Sequence, residues 1–224
     1  MCIRDSYTAD EVDYFVGDAK PRLVICDPKN REGLQSICDN HSAQLETLDG
    51  IGEGSFASLA ALQLNDFQTV ERSIDDIAAF LYTSGTTGRS KGAMLTQGNL
   101  LSNAEALVET WCFTPSDVLF HALPIFHTHG LFVASNVTFL AGSSMIFMPS
   151  FKVQQAIEHL PGATTMMGVP TFYTRLLDDA RLNRDLVQHM RLFISGSAPL
   201  LAATHVAFEE RTGHRILERY GMTE

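Results

Sequence analysis

Residues 118–151 form a stretch of 34 residues without a single aspartate, glutamate, lysine or arginine. A stretch of this length is either a membrane span or part of a core that is covered on both faces. Pro124, Asn136, Gly142 and Pro149 interrupt it at intervals. These interruptions favour a strand, a loop, a helix and a second strand inside a covered core, so we predict no membrane span.

Apolar strands and helical segments alternate along the whole chain. A capping box formed by Thr8 and Glu11 predicts a first helix, which is followed by a strand at 22–26, a helix near 31–40 and a strand at 44–48. Further strands are predicted at 78–83, 118–123, 144–148, 164–167 and 191–195. The alternation predicts an α/β fold with mostly parallel sheets and helices on both faces.

In such sheets the functional groups follow the carboxyl ends of the strands, which directs attention to four loops. These loops follow Thr83, Leu123, Met167 and Ser195. The predicted organisation is an acidic α/β subregion at 1–72 and a region at 73–224 that holds the candidate site.

Charge is unevenly distributed between these two parts. The net charge is −10, and residues 1–76 hold 15 carboxylates against six lysines and arginines. The remainder is nearly balanced and holds seven of the eight histidines. This distribution indicates no general nucleic-acid surface and puts the groups that can meet an anion in the second part.

The four cysteines, Cys2, Cys26, Cys38 and Cys112, show neither a CxxC pair nor the spacing of a disulfide-rich domain. The first residues are followed by acidic, amphipathic sequence rather than by the apolar core of a signal peptide. We therefore expect a reducing compartment: the cytoplasm, or the mitochondrial matrix if the protein is eukaryotic.

A predicted strand, AAFLYT, leads directly into the segment SGTTGRSKG at 84–92. Small residues allow backbone N–H groups and hydroxyls to surround phosphate oxygens, and Lys91 adds a positive charge. The alternative is a hairpin turn with a solvated lysine. Arg89 stands where a Walker A loop requires lysine, and no GxGxxG is present, which disfavours P-loop NTPases and nicotinamide enzymes. The candidate phosphate-binding residues are Thr83, Ser84, Gly85, Thr86, Thr87, Gly88 and Lys91.

The segment YTSGTTGRSKGAMLTQGNL at 82–100 resembles the signature loop of the adenylate-forming enzymes, which include acyl-CoA synthetases, peptide-synthetase adenylation domains and luciferases. RLFISGSAP at 191–199 and YGMTE at 220–224 agree with that family in the expected order. The resemblance implies that ATP and Mg²⁺ bind and that coenzyme A is a co-substrate. It implies that the loop and Lys91 hold the β- and γ-phosphates, that Thr223 meets the α-phosphate and that Glu224 binds Mg²⁺. The remaining ATP-binding residues that it implies are Gly196, Ser197, Ala198, Pro199, Tyr220, Gly221 and Met222.

Two more segments, HALPIFHTHGLF at 121–132 and MMGVPTFYTRLL at 166–177, resemble the malonyl-CoA synthetases. The resemblance implies malonate or methylmalonate as the acid, and burying a second carboxylate requires a cation or several donors. The candidate substrate residues are His127, Arg175, Ser197 and Arg215. Arg215 and Arg219 would share one face of a regular strand before YGMTE, where one or both could meet phosphate or the second carboxylate. As alternatives, Arg175 is a surface residue at a helix end, His127 is satisfied by backbone in a loop and Arg215 pairs with a surface acid. His127 and His129 lack further ligands with the spacing of a metal site.

The implied protein is an AMP-forming acid–CoA ligase whose partners are a small carboxylic acid, ATP and coenzyme A. The alternatives are a synthetase for short or medium monocarboxylates and a noncatalytic nucleotide-binding module. In the family, a ribose-binding aspartate and a mobile C-terminal domain with a catalytic lysine complete the enzyme, and neither follows Glu224. We expect the chain to be part of the large N-terminal domain, without the C-terminal domain, and to lack full activity by itself.

Overall fold

The structure is a computed structural model that describes residues 7–83 and 90–223. Within these residues the chain divides into two compact units. The first unit contains residues 7–72 and 90–92, and the second contains residues 73–83 and 93–223.

In the first unit, helices and strands alternate around a small apolar core. Its elements are α1 (Ala9–Ala19), β1 (Leu23–Cys26), a 3₁₀ turn (Pro28–Asn30), α2 (Arg31–Asn40), β2 (Gln44–Thr47) and α3 (Ser55–Ala61). The side chain of Thr8 accepts from the Glu11 backbone N–H, and the Glu11 carboxylate accepts from the Thr8 N–H, which confirms the predicted capping box. β1 and β2 pair in parallel, and Val16, Val24 and Cys38 are fully buried between the layers.

The second unit holds most of the regular structure. Its elements are β3 (Ile77–Thr83), β4 (Lys91–Thr96, which begins in the first unit), α4 (Gln97–Thr110), β5 (Val118–His121), a π-helical segment (His129–Ser135), α5 (Asn136–Leu140), β6 (Ser144–Phe147), α6 (Val153–His159), β7 (Thr165–Gly168), α7 (Pro170–Leu177), β8 (Leu192–Ser195), α8 (Ala202–Thr212) and β9 (Ile216–Glu218). The last five strands form one parallel sheet in the order β6-β5-β7-β8-β9. The predicted α/β fold with mostly parallel strands is confirmed.

The strand predicted at 78–83 does not join this sheet. It forms β3, which pairs with β4 in a separate two-stranded sheet. No strand was predicted at Lys91–Thr96, because its first residues belong to the glycine-rich motif that suggested a loop. Strand partners depend on tertiary contacts, which a local pattern does not contain.

The centre of the large sheet, formed by β5, β7 and β8, is buried, whereas β6 at its edge is partly exposed. Every residue of β7 is buried, and Phe193 and Ile194 of β8 have no exposed surface. Phe208 of α8 packs edge-on against Phe193 and Tyr173, with ring centroids 5.0 and 5.5 Å apart. The uncharged residues 118–151 form β5, a loop, the helical segments and β6, and no helix in the described residues is long and apolar enough to span a bilayer.

An ion pair between the buried Asp117 and the partly exposed side chain of Arg191 joins the amino ends of three strands. Asp117, which precedes β5, accepts two hydrogen bonds from the Arg191 guanidinium at 2.7 and 2.8 Å and one from Thr164 Oγ1 at 2.8 Å. Thr164 precedes β7 and Arg191 precedes β8. Burial favours the neutral acid, but the bonds from Arg191, Thr114 and Thr164 outweigh it and lower the pKa of Asp117 from 3.8 to about 2. The carboxylate therefore stabilises the register of the sheet.

We expect Asp117→Asn to lower the free energy of unfolding by about 2–4 kcal/mol at neutral pH, because it leaves a partly buried guanidinium without its anion. The folded-state pKa lies below the usual 3.8, so this contribution is present above about pH 4 and disappears as the pH falls towards 2. Urea titrations at pH 7 and pH 3 measure both effects.

Asp179→Asn is the matched control, because it removes a bidentate pair with Arg181 at the surface. We expect it to change stability less. The free energies of unfolding of the parent and Asp117→Asn should differ less at pH 3 than at pH 7. An equal difference at both pH values would contradict the stabilising role of the Asp117 charge.

Candidate active site

A cavity of about 250 Å³ lies in the second unit, beside the carboxyl ends of the parallel strands. One wall is the face of α4 that carries Asn99 and Asn103, and another is formed by Thr128 and the π-helical segment. Ser197, which follows β8, and the segment Arg219–Thr223, which follows β9, complete it. The loops predicted to carry function after Leu123 and Ser195 both contribute residues.

A buried hydrogen-bond cluster holds the start of the π-helical segment. Gly130 lies against the Pro124 backbone so closely that a Cβ would overlap the Pro124 carbonyl oxygen. The Gly130 carbonyl oxygen accepts from Ser135 Oγ at 3.0 Å and from His121 Nε2 at 2.9 Å. A carbonyl only accepts, so the proton of the His121 ring must be on Nε2. Burial lowers the pKa of His121 and keeps this ring neutral.

This cluster positions His129, whose ring is buried and lines the cavity. Its Nδ1 lies 3.1 Å from Ser197 Oγ, and its buried Nε2 has no hydrogen-bond partner in the described part of the chain. Burial above all, and then the charge of Arg219 and the nearby His121, lower the pKa of His129 to about 4. The ring is therefore neutral near pH 7.

Close packing around Gly196 brings the polar groups of the cavity together. A Cβ on Gly196 would lie 3.1 Å from His129 Cε1 and 3.0 Å from Arg219 Cγ, so a larger residue would push both side chains away. The next residue, Ser197, has a φ of 69°, in the left-handed region that residues other than glycine seldom adopt. Strained backbone of this kind is typical of functional sites.

Arg219 is the only ionised side chain among the described residues that line the cavity. Its backbone N–H donates to the Ser195 carbonyl oxygen at 2.8 Å, which extends the pairing of β8 with β9 by one residue. The side chain is partly buried, and desolvation lowers the pKa of Arg219, although a guanidinium stays charged in proteins. The described lining holds no carboxylate, and a partly desolvated cation in such surroundings favours an anionic ligand.

Of the four predicted substrate residues, only Ser197 lines this cavity. His127 is exposed, with its ring 4.7 Å from that of Phe126, and His129 occupies the cavity instead. Arg175 is exposed near the end of α7, and its guanidinium lies 5.1 Å from the Phe151 ring. The roles of His127 and Arg175 in binding stay predictions.

Arg215 is also outside the described cavity lining. It is exposed and donates to Glu209 at 2.8 Å, which is the surface pairing considered as the alternative. A regular strand would put Arg215 and Arg219 on one face, but β9 contains only Ile216–Glu218 and both arginines flank it. Their side chains consequently have different surroundings.

The predicted ATP-binding residues are spread over several places. Thr83 ends β3, whereas Ser84–Gly88 and Glu224 lie outside the described residues. Lys91 is exposed at the start of β4 and belongs to the first unit.

The other predicted ATP-binding residues belong to the second unit. Gly196 is buried, Ser197–Pro199 are exposed after β8, and Tyr220–Thr223 line the cavity. Across residues 7–83 and 90–223, no group of three or more histidine, cysteine, aspartate or glutamate side chains is arranged to hold a metal ion.

Sequence reasoning did not assign His129, Asn99 or Asn103 to the site. The two asparagines are four residues apart in a helix that follows the glycine-rich motif, so their spacing indicates a shared polar face. His129 was considered only as half of a metal-binding pair. Its inward position results from the turn at Gly130, which no residue pattern predicts.

A parallel sheet with a cavity at the carboxyl ends of its strands, lined by the cation of Arg219, defines an α/β domain whose cavity suits an anionic ligand. More specifically, the chain belongs to the AMP-binding enzyme family, whose sequence model matches residues 1–224. The predicted resemblance to the adenylate-forming enzymes is confirmed.

Individual relatives agree with this membership. The mitochondrial malonate–CoA ligase of Mus musculus is 34% identical over 233 residues, which cover 96% of this chain and 39% of the relative. The ATP-bound structure of MatB from Rhodopseudomonas palustris is 57% identical with a TM-score of 0.95, and the match covers 99% of this chain and 44% of that one.

A malonyl-CoA ligase in a ternary product complex with methylmalonyl-CoA and AMP is 30% identical with a TM-score of 0.81, over 99% of this chain and 46% of that one. The chain thus spans less than half the length of each of these relatives.

Proposed function

We propose that this chain forms the acid- and nucleotide-binding part of an AMP-forming acid–CoA ligase that converts malonate, or methylmalonate, to its CoA thioester. The observation that carries the proposal is the cation of Arg219, partly buried beside Ser197 and His129 in a cavity of about 250 Å³. A small dicarboxylate needs such a cation for the carboxylate that does not react. The names of the relatives support the same substrate, since they are malonate–CoA and malonyl-CoA ligases.

The proposed reaction has two steps. One carboxylate of the acid attacks the α-phosphorus of ATP, which forms the acyl-adenylate and expels pyrophosphate. The thiol of coenzyme A then attacks the acyl carbon, losing its proton as AMP departs, and the thioester forms. The first step depends mainly on positioning and on neutralising charge, so a site of backbone donors and cations suits it.

The nucleotide-binding roles come from the family resemblance. In this proposal, Thr83–Gly88 and Lys91 hold the β- and γ-phosphates, Gly196–Pro199 lie beside the adenine, and Thr223 meets the α-phosphate. Glu224 would hold Mg²⁺, since its carboxylate is the hard oxygen donor that this ion prefers. Bound Mg²⁺ would neutralise the charge of the triphosphate.

The carboxylate that does not react would meet Arg219 and Ser197. The exposed positions of Arg175 and Arg215 make them weaker candidates than Arg219 for the cationic partner. His127 would contact the acid only if its exposed ring turned inward.

A short monocarboxylate is the second candidate for the acid. Leu95, Leu100, Phe132 and Val133 also line the cavity and offer an apolar wall to an alkyl chain. Such an acid would leave Arg219 partly desolvated and unpaired in the complex, which disfavours it relative to malonate.

The partners in this proposal are the acid, ATP and coenzyme A, and no role is assigned to nucleic acid. The compartment would be the cytoplasm or the mitochondrial matrix. The mouse relative is named as mitochondrial, which supports the second possibility for a eukaryotic source.

The test is pyrophosphate release by the full-length protein with ATP and malonate, butyrate or no acid, with the CoA thioester identified by mass spectrometry. We expect malonate-dependent release, and we expect Lys91→Ala to slow it about a hundredfold without lowering the melting temperature. Lys152→Ala, which removes another exposed lysine, is the control.

Two results would contradict the proposal. Release with butyrate but not with malonate would favour the monocarboxylate synthetase. Binding of ATP without release in the presence of any acid would favour the noncatalytic module.

A further inference from the structure

His129 has one ring nitrogen engaged and the other unused. Its Nδ1 lies 3.1 Å from Ser197 Oγ, whereas its Nε2 is buried without a partner in the described residues. The ring nevertheless lines the cavity, and a Cβ at Gly196 would lie 3.1 Å from His129 Cε1 and 3.0 Å from Arg219 Cγ, so the two side chains meet beside this glycine. A buried polar atom without a partner is costly, which suggests that a ligand satisfies it.

The contact with Ser197 is compatible with the tautomer that carries the ring proton on Nε2. The Ser197 hydroxyl can donate to Nδ1, and the ring proton is then on Nε2. The opposite tautomer would leave a bare lone pair on the buried Nε2, and a lone pair cannot bind an anion. With the proton on Nε2, a neutral donor stands near the cation of Arg219.

We propose that His129 is a specificity-determining residue whose Nε2–H donates to the same carboxylate that Arg219 pairs with. This inference rests on the proposed function and deepens it, since it names a second group that recognises the carboxylate that does not react. The sequence pattern by itself places His129 only in a possible metal-binding pair with His127.

The structure gives this donor a fixed position. The turn at Gly130 and the bonds of its carbonyl to His121 and Ser135 hold the segment, and contact with Gly196 limits movement of the ring. A monocarboxylate in the cavity would put an alkyl group against Nε2–H and leave it unpaired. A site built to bind a polar group discriminates strongly against analogues that lack it, because its own donors then stay unsatisfied.

The test compares His129→Gln, His129→Asn and His129→Phe in the full-length protein. The glutamine amide reaches the position of Nε2, and the asparagine amide reaches that of Nδ1. The measurement is the ratio of kcat/KM for malonate to that for butyrate, which cancels differences in the active fraction. His189→Gln, at an exposed histidine, is the control.

We expect the phenylalanine and asparagine variants to lower the malonate-to-butyrate ratio about tenfold to a hundredfold, as for loss of a hydrogen bond to a charged group. The glutamine variant should stay within about threefold of the parent. If the phenylalanine variant does not fold, the malonate-to-butyrate ratios of the asparagine and glutamine variants still test the role of Nε2.

An unchanged ratio in the asparagine variant, or a larger loss with glutamine than with asparagine, would overturn the role of Nε2. If the parent uses malonate and these results appear, only the inference about His129 fails. A parent that activates no dicarboxylate would overturn the proposed function and this inference with it.

Discussion

Replacing Arg219 with methionine is expected to lower kcat/KM for malonate by roughly a hundredfold or more, equivalent to about 3 kcal/mol or more of transition-state stabilisation. Methionine has a similar length but no charge, so a carboxylate would enter a partly desolvated site without its cation. The kcat/KM for butyrate should change little or rise, because the alkyl end of butyrate makes no ion pair with Arg219 and the apolar wall of the cavity is retained. The measurement is kcat/KM for both acids in parent and variant.

Arg175→Met and Arg215→Met are the comparisons that make this result specific. Both arginines are exposed, one over the Phe151 ring and the other paired with Glu209. We expect each to leave the malonate-to-butyrate ratio within about threefold of the parent. A selective loss of malonate activity in Arg175→Met, with Arg219→Met unaffected, would instead support the assignment made from the VPTFYTR segment.

Gly130→Ala is expected to destabilise the protein by about 2–4 kcal/mol and also to reduce malonate activity. The added Cβ would overlap the Pro124 carbonyl oxygen and lie 2.8 Å from its carbon, so backbone has to move. That movement breaks the bonds of the Gly130 carbonyl and displaces the adjacent His129 from the cavity. Urea titration measures the first effect, and kcat/KM for malonate measures the second.

Gly33→Ala serves as the control for this substitution. Gly33 is inside α2, and a Cβ there would meet nothing within 4 Å. Alanine in this first helical turn should leave stability unchanged or raise it by up to about 1 kcal/mol. A Gly130→Ala variant as stable as Gly33→Ala would show that the turn tolerates a side chain and does not position His129.

Local sequence predicted most of the individual elements. The capping box of α1, the helix at Arg31–Asn40 and the strands of the large sheet come from interactions between residues close in the chain, which short patterns record. The pairing of β3 with β4 was not predicted, because strand partners are chosen by packing between distant residues.

The motifs by themselves determined that the chain belongs to the adenylate-forming enzymes, since three segments of the right composition follow in the right order and the family match agrees. The motif at 191–199 also predicted that the loop containing Ser197 is part of the site, and Ser197 lines the cavity. Only the tertiary structure decided which of two histidines and which of three arginines reaches the cavity. His129 and Arg219 do so because the turn at Gly130 and the end of β9 orient them. The direction of a side chain at a loop or a strand end depends on backbone dihedrals that distant contacts impose, and residue spacing carries no record of those contacts.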